Sequence, residues 1–408
     1  MRRWVPLLLL VASSAAAEEL SSTAELSGYF ETRHTGVFGL DTDFESKIKS
    51  LGLPIDFDTL GFHPSHRYGV VNRLRPTLKL HVGEKATAVA TVEGHSYHGF
   101  FKRTQDEIGD VVSVERLDLT LSDGVLDVAA GKMLFPWGHG LLLNPTDLFV
   151  ERPPGDLRAE LPGVWAVKAL FGLGTDQNLT AIVATHEDGC CHPFVIGRYD
   201  LQVGVTDGAA TVAWDEGGDR AVFGLDVKSE AEVGFWVESS FTLADLKKDS
   251  PRWYFDVEAG VDYTFDVLDG LYVAAEYLRQ GEGRSRDYTS TVLTADPKRR
   301  TAFLGKDYAA LLIRWTINND WQLQVLNLVN AHDPSGIVVP QLTWLPLGSL
   351  ELILGANIAY GKKGGEYAMT IPDEVAVPGV GTVPAPDSVR GERLVPLAQL
   401  FLSGRYYF

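Results

Sequence analysis

From Trp253 to Val267 every second residue is apolar or aromatic: Trp253, Phe255, Val257, Ala259, Val261, Tyr263, Phe265 and Val267. Between them stand Tyr254, Asp256, Glu258, Gly260, Asp262, Thr264 and Asp266, five of the seven polar. A period of two sends the two sets to opposite faces of one strand. At about 3.3 Å per residue such a run spans roughly 50 Å. Strands of soluble proteins usually run about 5–6 residues, whereas a strand crossing a bilayer needs about 9–11 within the hydrocarbon.

The same alternation recurs. Leu350, Leu352, Leu354, Ala356, Ile358 and Tyr360 alternate with Glu351, Gly355 and Asn357; Leu74, Leu78, Leu80 and Val82 alternate with Arg73, Arg75, Thr77, Lys79 and His81. Tight-turn signals such as Ser122-Asp123-Gly124, Thr206-Asp207-Gly208, Lys228-Ser229-Glu230 and Leu268-Asp269-Gly270 suit hairpins. Between them lie longer connections, among them 39–67, 100–110, 136–161, 187–195, 283–302 and 363–393. Short turns on one rim and long loops on the other are the layout of an outer-membrane barrel. The segments sum to eighteen strands, the first at 22–38 and the last at 394–408. Sixteen is the alternative, because 209–214 and 220–227 are short and glycine-flanked. The pattern predicts an all-β fold: a single closed antiparallel transmembrane β-barrel with short periplasmic turns and long extracellular loops.

Composition narrows the function. The chain has 408 residues, 45% apolar, with 36 Lys+Arg against 54 Asp+Glu and a net charge of −18. An acidic chain lacks the basic footprint of a general nucleic-acid binder. No apolar run is long enough for a spanning helix, which leaves a membrane β-barrel open, since its hydrophobicity hides in alternation. Met1-Arg2-Arg3, an apolar stretch from Val5 to Ala12, and Ala15-Ala16-Ala17 read as a secretory signal peptide over residues 1–17. Residues 18–408 then form the barrel, with no separate plug domain before strand one. The bore is therefore filled by loops, by water or by both.

At the other end Leu400, Leu402, Gly404, Tyr406 and Phe408 share one face. This run resembles the terminal strand of bacterial outer-membrane barrels, and the resemblance implies that Tyr406 and Phe408 serve as an assembly signal for the barrel-assembly machinery. In architecture the chain resembles porin-like channels of 16 to 18 strands, including the alginate-export and substrate-selective porin groups. That resemblance implies a passive diffusion channel.

Barrels of 16–18 strands leave an aqueous bore unless something fills it. Inward positions of the second strand offer a basic wall of Arg73, Arg75, Lys79 and His81, and those of the twelfth an acidic wall of Asp256, Glu258, Asp262 and Asp266. Ten ranks of eighteen apart, the two walls are expected nearly across the lumen, where they set up a transverse field. The bland reading is that each charge pairs with its neighbouring strands. The connection 136–161 is the third on the long side. Its apolar residues, Trp137, Leu141, Leu142, Leu143, Leu148 and Phe149, are unsuited to open water. Asn144-Pro145 resembles a helix N-cap followed by a first-turn proline, which predicts a short helix. Folded inward, the segment resembles a porin constriction loop in rank and role, with Trp137, His139, Asn144, Asp147, Phe149, Glu151 and Arg152 as candidate constriction residues; the alternative is a cap packed on the rim.

Cys190 and Cys191, the only two cysteines, are a possible disulfide; no cysteine-based zinc site is expected. The crowded acids Asp41, Asp43, Glu45, Asp56 and Asp58 lack calcium-loop spacing. No Gly-x-Ser-x-Gly string or hydrolase order accompanies the histidines, so neither enzymatic activity nor a cofactor or metal is expected. The expected partners are the outer-membrane bilayer, the assembly machinery, small solutes and, as an open question, further copies of the chain. The expected function is diffusion of small polar or charged solutes. A plugged docking barrel is the alternative, and an outer-membrane hydrolase ranks below it.

Overall fold

A computed structural model describes residues 22–39, 67–99, 112–140, 144–149, 163–185, 193–286, 288, 303–370, 374–377, 381–384, 390–391, 393 and 395–408. The strands on the first half of the chain are β1 (Ser22–Phe38), β2 (Tyr68–Val82), β3 (Ala86–Gly99), β4 (Val112–Ser122), β5 (Leu126–Met133), β6 (Val164–Gly172), β7 (Gln177–Thr185), β8 (Pro193–Val203) and β9 (Thr206–Asp215). There follow β10 (Arg220–Glu230), β11 (Gly234–Ala244), β12 (Arg252–Phe265), β13 (Leu271–Arg279), β14 (Asp307–Thr316), β15 (Trp321–Asn330), β16 (Ser335–Leu347) and β17 (Leu350–Tyr360). A small separate hairpin, β18 (Glu374–Val377) with β19 (Gly381–Pro384), precedes β20 (Ala398–Tyr407).

Eighteen of these strands form one sheet in which every neighbour is antiparallel. The ring shuts where β1 pairs with β2 on one side and β20 on the other. Gly28 and Phe408 exchange two backbone hydrogen bonds of 3.0 Å at this seam. Closure matters because an unpaired strand edge has no hydrogen-bond partner in hydrocarbon. The ring has eighteen strands rather than sixteen because both doubtful segments are full strands. The turn expected at 206–208 lies at Gly204-Val205, and the one expected at 228–230 lies at 231–233. Gly208, which flanks the first doubtful segment, sits inside paired ladders.

Alternation decides what each face meets. Outward on β12 stand Trp253, Phe255, Val261, Tyr263 and Phe265, all exposed although large and apolar. On β20, Leu400, Leu402 and Tyr406 do the same, as does Phe408 just beyond the strand. Such a continuous apolar belt on the outside marks a surface made for lipid. Among the described residues no helix is long and apolar enough to cross a membrane.

The inside is divided. One buried apolar cluster gathers Met133, Phe135, Leu148, Ile182, Phe194 and Ile196, along the walls of β5 to β10. A second gathers Leu278, Phe303, Tyr308, Leu312, Leu326 and Leu328, along β11 to β16. The remaining arc, from β17 through β20 and β1 to β4, carries charge.

Candidate functional site

The seam arc is built by register. Glu351 on β17 faces Arg405 on β20, Arg405 faces Glu31 on β1, Glu31 faces Arg73 on β2, and Arg73 faces His95 on β3. Acid and base alternate around the four adjacent strands β17, β20, β1 and β2, and opposite charges directly across a ladder stabilise it. Arg405 Nη2 donates to Glu31 Oε2 at 3.0 Å, and Ser403 Oγ to Glu31 Oε1 at 2.7 Å. One level away, Arg75 Nη1 donates to Glu93 Oε2 at 2.8 Å, while Arg73 Nε lies 3.3 Å from Glu93 Oε1. Two guanidiniums also rest on rings: Arg405 is 4.3 Å from the Tyr29 centroid and Arg33 is 4.1 Å from that of Phe401. The expected basic wall is thus largely paired where it stands. Arg73 and Arg75 belong to an alternating ladder; Lys79 faces Glu25, and His81 Nδ1 lies 3.0 Å from Thr87 Oγ1.

The opposite arc is built differently. Asp226 on β10 faces Glu238 on β11, and Glu238 faces Glu258 on β12, so three carboxylates stand side by side in one row. Like charges directly opposed weaken a ladder, and all three side chains are sealed, at 1%, 0% and 0% exposure. The inward loop supplies donors to the middle one, Glu238. The backbone N–H of His139 donates to Glu238 Oε1; Gly140 N–H donates to the same oxygen at 3.3 Å, and Thr146 Oγ1 to Oε2 at 2.9 Å. Asp226 takes two bonds from Arg198, at 2.9 and 3.2 Å, and lies 3.6 Å from His139 Nε2. Arg198 is further held by Asp200 at 2.7 Å, and its guanidinium lies 5.3 Å from the Trp137 ring. Trp236 Nε1 donates to Glu258 Oε1 at 2.9 Å.

Apolar contacts seat the rest of the loop. Phe149 stacks on Phe135 at 4.8 Å between centroids and meets Phe194 of β8 edge-on at 5.1 Å. Trp137 lies 5.9 Å from Phe149. Gly140 is a packing requirement: a Cβ there would lie 1.9 Å from a Glu258 carboxylate oxygen. The helix expected after Asn144 is absent. Asn144 to Asp147 form a single turn, closed by Asp147 N–H to the Asn144 carbonyl at 2.9 Å, with Asp147 Oδ1 accepting from Phe149 N–H at 3.2 Å.

Of the expected acidic wall, Glu258 is sealed beneath the loop, Asp256 accepts from Gly281 N–H at 2.6 Å, and Asp262 accepts from Tyr272 Oη at 2.9 Å. Asp266 departs from the expectation: β12 ends at Phe265, and Asp266 lies exposed in the following turn. Glu151, Arg152, Cys190 and Cys191 lie outside the described residues, as does the 1–17 segment. Among the described residues no group of three His, Cys, Asp or Glu has metal-holding geometry. Asp226, Glu238, Arg198 and Thr146 were missed in the sequence. Asp226, Glu238 and Arg198 sit at inward strand positions, so alternation marked them, but their meeting depends on register between strands; Thr146, in a loop turn, carried no such mark.

No family model matches the chain, and no curated protein matches it in sequence. Solved structures do match in shape. OccAB1 of Acinetobacter baumannii is 8% identical, with 94% of this chain and 96% of that one covered and a TM-score of 0.56. OccK11 (OpdR) of Pseudomonas aeruginosa is 9% identical over 95% and 96%, with a TM-score of 0.52. A triple mutant of the Rh. blastica porin is 8% identical over 95% of this chain and all of that one, at 0.48. At such identities the likeness speaks for the fold alone. The fold is a closed eighteen-strand antiparallel barrel, an architecture similar to that of OccAB1 and OccK11.

Proposed function

We propose that this chain is an outer-membrane channel through which small polar or charged solutes diffuse passively, its bore narrowed by residues 134–140 and 144–149. The observation that carries the reading is the pairing of an apolar outer belt with a charged inner wall on a ring of eighteen strands. A ring of that size leaves water inside unless it is filled. The open side of the bore is the seam arc, where the Arg73 and Arg116 side chains keep 27% and 36% exposure, whereas the acids opposite are sealed. Arg73 and Arg116 are the residues we assign to the solute path, with Arg75, Glu31 and Glu93 as the buried charges behind them, and His139 and Trp137 to the constriction.

The test is entry of solutes into liposomes carrying the purified barrel. Osmotic swelling that falls with solute size supports the reading, and swelling no faster than in protein-free liposomes refutes it. A second reading, a plugged docking barrel, is favoured by the two apolar clusters packed inside the ring. It predicts no swelling in the wild type even for the smallest solutes.

A further inference from the structure

A second inward fold, distinct from residues 134–140 and 144–149, gathers described residues of three long-side loops around one carboxylate. Glu366 lies in a short 3-10 turn, Glu366–Ala368, in the loop before β20, and is 5% exposed. Its Oε1 accepts from Leu304 N–H, in the loop before β14, at 2.7 Å, and from the Tyr308 hydroxyl at 2.7 Å. Its Oε2 lies 2.6 Å from the same hydroxyl and accepts from Asn330 Nδ2, at the top of β15, at 2.7 Å. Asn330 Nδ2 also reaches the Tyr288 hydroxyl at 3.1 Å. The Glu366 backbone N–H donates to Asp333 Oδ2, in the loop between β15 and β16, at 2.7 Å. Tyr367 N–H donates to Ser335 Oγ at 3.2 Å.

This knot sits on the inward face. Tyr308 and Phe303 belong to the buried cluster with Leu312, Leu326 and Leu328, and Tyr367 packs against it. The knot of Phe303, Tyr308, Glu366 and Tyr367 therefore lies against the inner wall along β11 to β16. Every group bound to the Glu366 carboxylate is neutral: two hydroxyl or amide side chains and one backbone N–H. No Lys, Arg or His among the described residues forms an ion pair with it. A buried carboxylate held only by neutral donors is costly to keep charged.

We infer that the loops meeting at Glu366 form a pH-sensitive clasp over the mouth of the barrel, closed when Glu366 carries a proton and loosened when it does not. The other titratable groups facing it are Asp333, Tyr288, Tyr308 and Tyr367. The pair Asp307–His332 lies behind Asn330, His332 Nε2 being 2.5 Å from Asp307 Oδ2, and Arg393 reaches the Tyr367 carbonyl at 3.4 Å. Burial pushes the Glu366 carboxyl above its ordinary value, and the Asp333 charge adds to that; bonds from Tyr308, Leu304 and Asn330 oppose it only in part. The sign follows. A raised value in the closed state means closure takes up a proton. The clasp is at full strength below the ordinary carboxylate range and weakens as pH rises through the raised value. Within that window one proton changes the closed-to-open ratio by at most about tenfold per pH unit.

The experiment measures two quantities on the full-length barrel between pH 4 and 8. One is single-channel conductance; the other is amide exchange of residues 364–368 and 304–308, corrected for the intrinsic rate. Wild type should gain conductance and lose protection as pH rises. Glu366→Gln should flatten both, while His332→Gln leaves them pH-dependent. Should Glu366→Gln fail to assemble, Asn330→Asp, which sets a second acid against Glu366, should show less protection at pH 7 than wild type. Protection that does not change with pH in wild type overturns the clasp, as does the same pH response in Glu366→Gln. The electrical arm rests on the channel reading, but the exchange arm does not. A silent barrel with pH-dependent protection would sink the channel and leave the clasp standing.

Discussion

Removing the Glu238 carboxylate should free the inward segment. In Glu238→Ala the N–H groups of His139 and Gly140 and the hydroxyl of Thr146 lose their acceptor together. A buried donor left without a partner costs about 1–3 kcal/mol, and entering water recovers part of that. The substitution also removes two opposed like-charge pairs, Glu238 with Asp226 and with Glu258, each worth about 0.2–1 kcal/mol. Three such donors less the two relieved pairs leave a loss of about 1–8 kcal/mol from the seated segment. At about 1.4 kcal/mol per tenfold, the seated-to-released ratio falls at least about fivefold. The aromatic seat of Phe135, Phe149 and Phe194 remains, so release is partial and the segment fluctuates. Single-channel recording should show a larger conductance and greater open-channel noise than wild type. Glu238→Gln, which keeps one acceptor oxygen, should lie between the two. An assembled Glu238→Ala barrel with unchanged conductance and noise would refute the reasoning.

Gly140→Leu should also unseat the segment, because a Cβ has no room beside the Glu258 carboxylate; conductance should rise as in Glu238→Ala. Arg75→Met breaks a buried ion pair with Glu93 and should cost about 3–5 kcal/mol, read as a lower temperature for loss of the folded band on unheated gels. Arg73→Glu places an acid between Glu31 and Glu93 on the open arc and should move the reversal potential in a salt gradient toward cation preference; no movement would take Arg73 off the solute path.

Alternation alone made the barrel legible, since lipid outside and water inside impose one rule on every strand. β1 and β2 begin and end where their patterns do, at 22–38 and 68–82. The rule blurred where glycine carries no side chain to show a face, which is why β9 and β10 looked short and their turns were misplaced. The inward segment was legible from Trp137, Leu148 and Phe149, too apolar for solvent. The sites themselves were not. That Asp226, Glu238 and Glu258 share a row depends on the register of three strands, and register is set by turns of unequal length. Glu366 gave no signal at all, being one acid in a long loop whose partners come from Leu304, Tyr308 and Asn330, tens of residues away.

The central claim is that the ring encloses water across a membrane. Single-channel recording from the purified barrel in a planar lipid bilayer tests it most directly. The account predicts discrete, stable current steps, enlarged in Glu238→Ala. A correctly inserted barrel that passes no current, with Glu238→Ala equally silent, would contradict it.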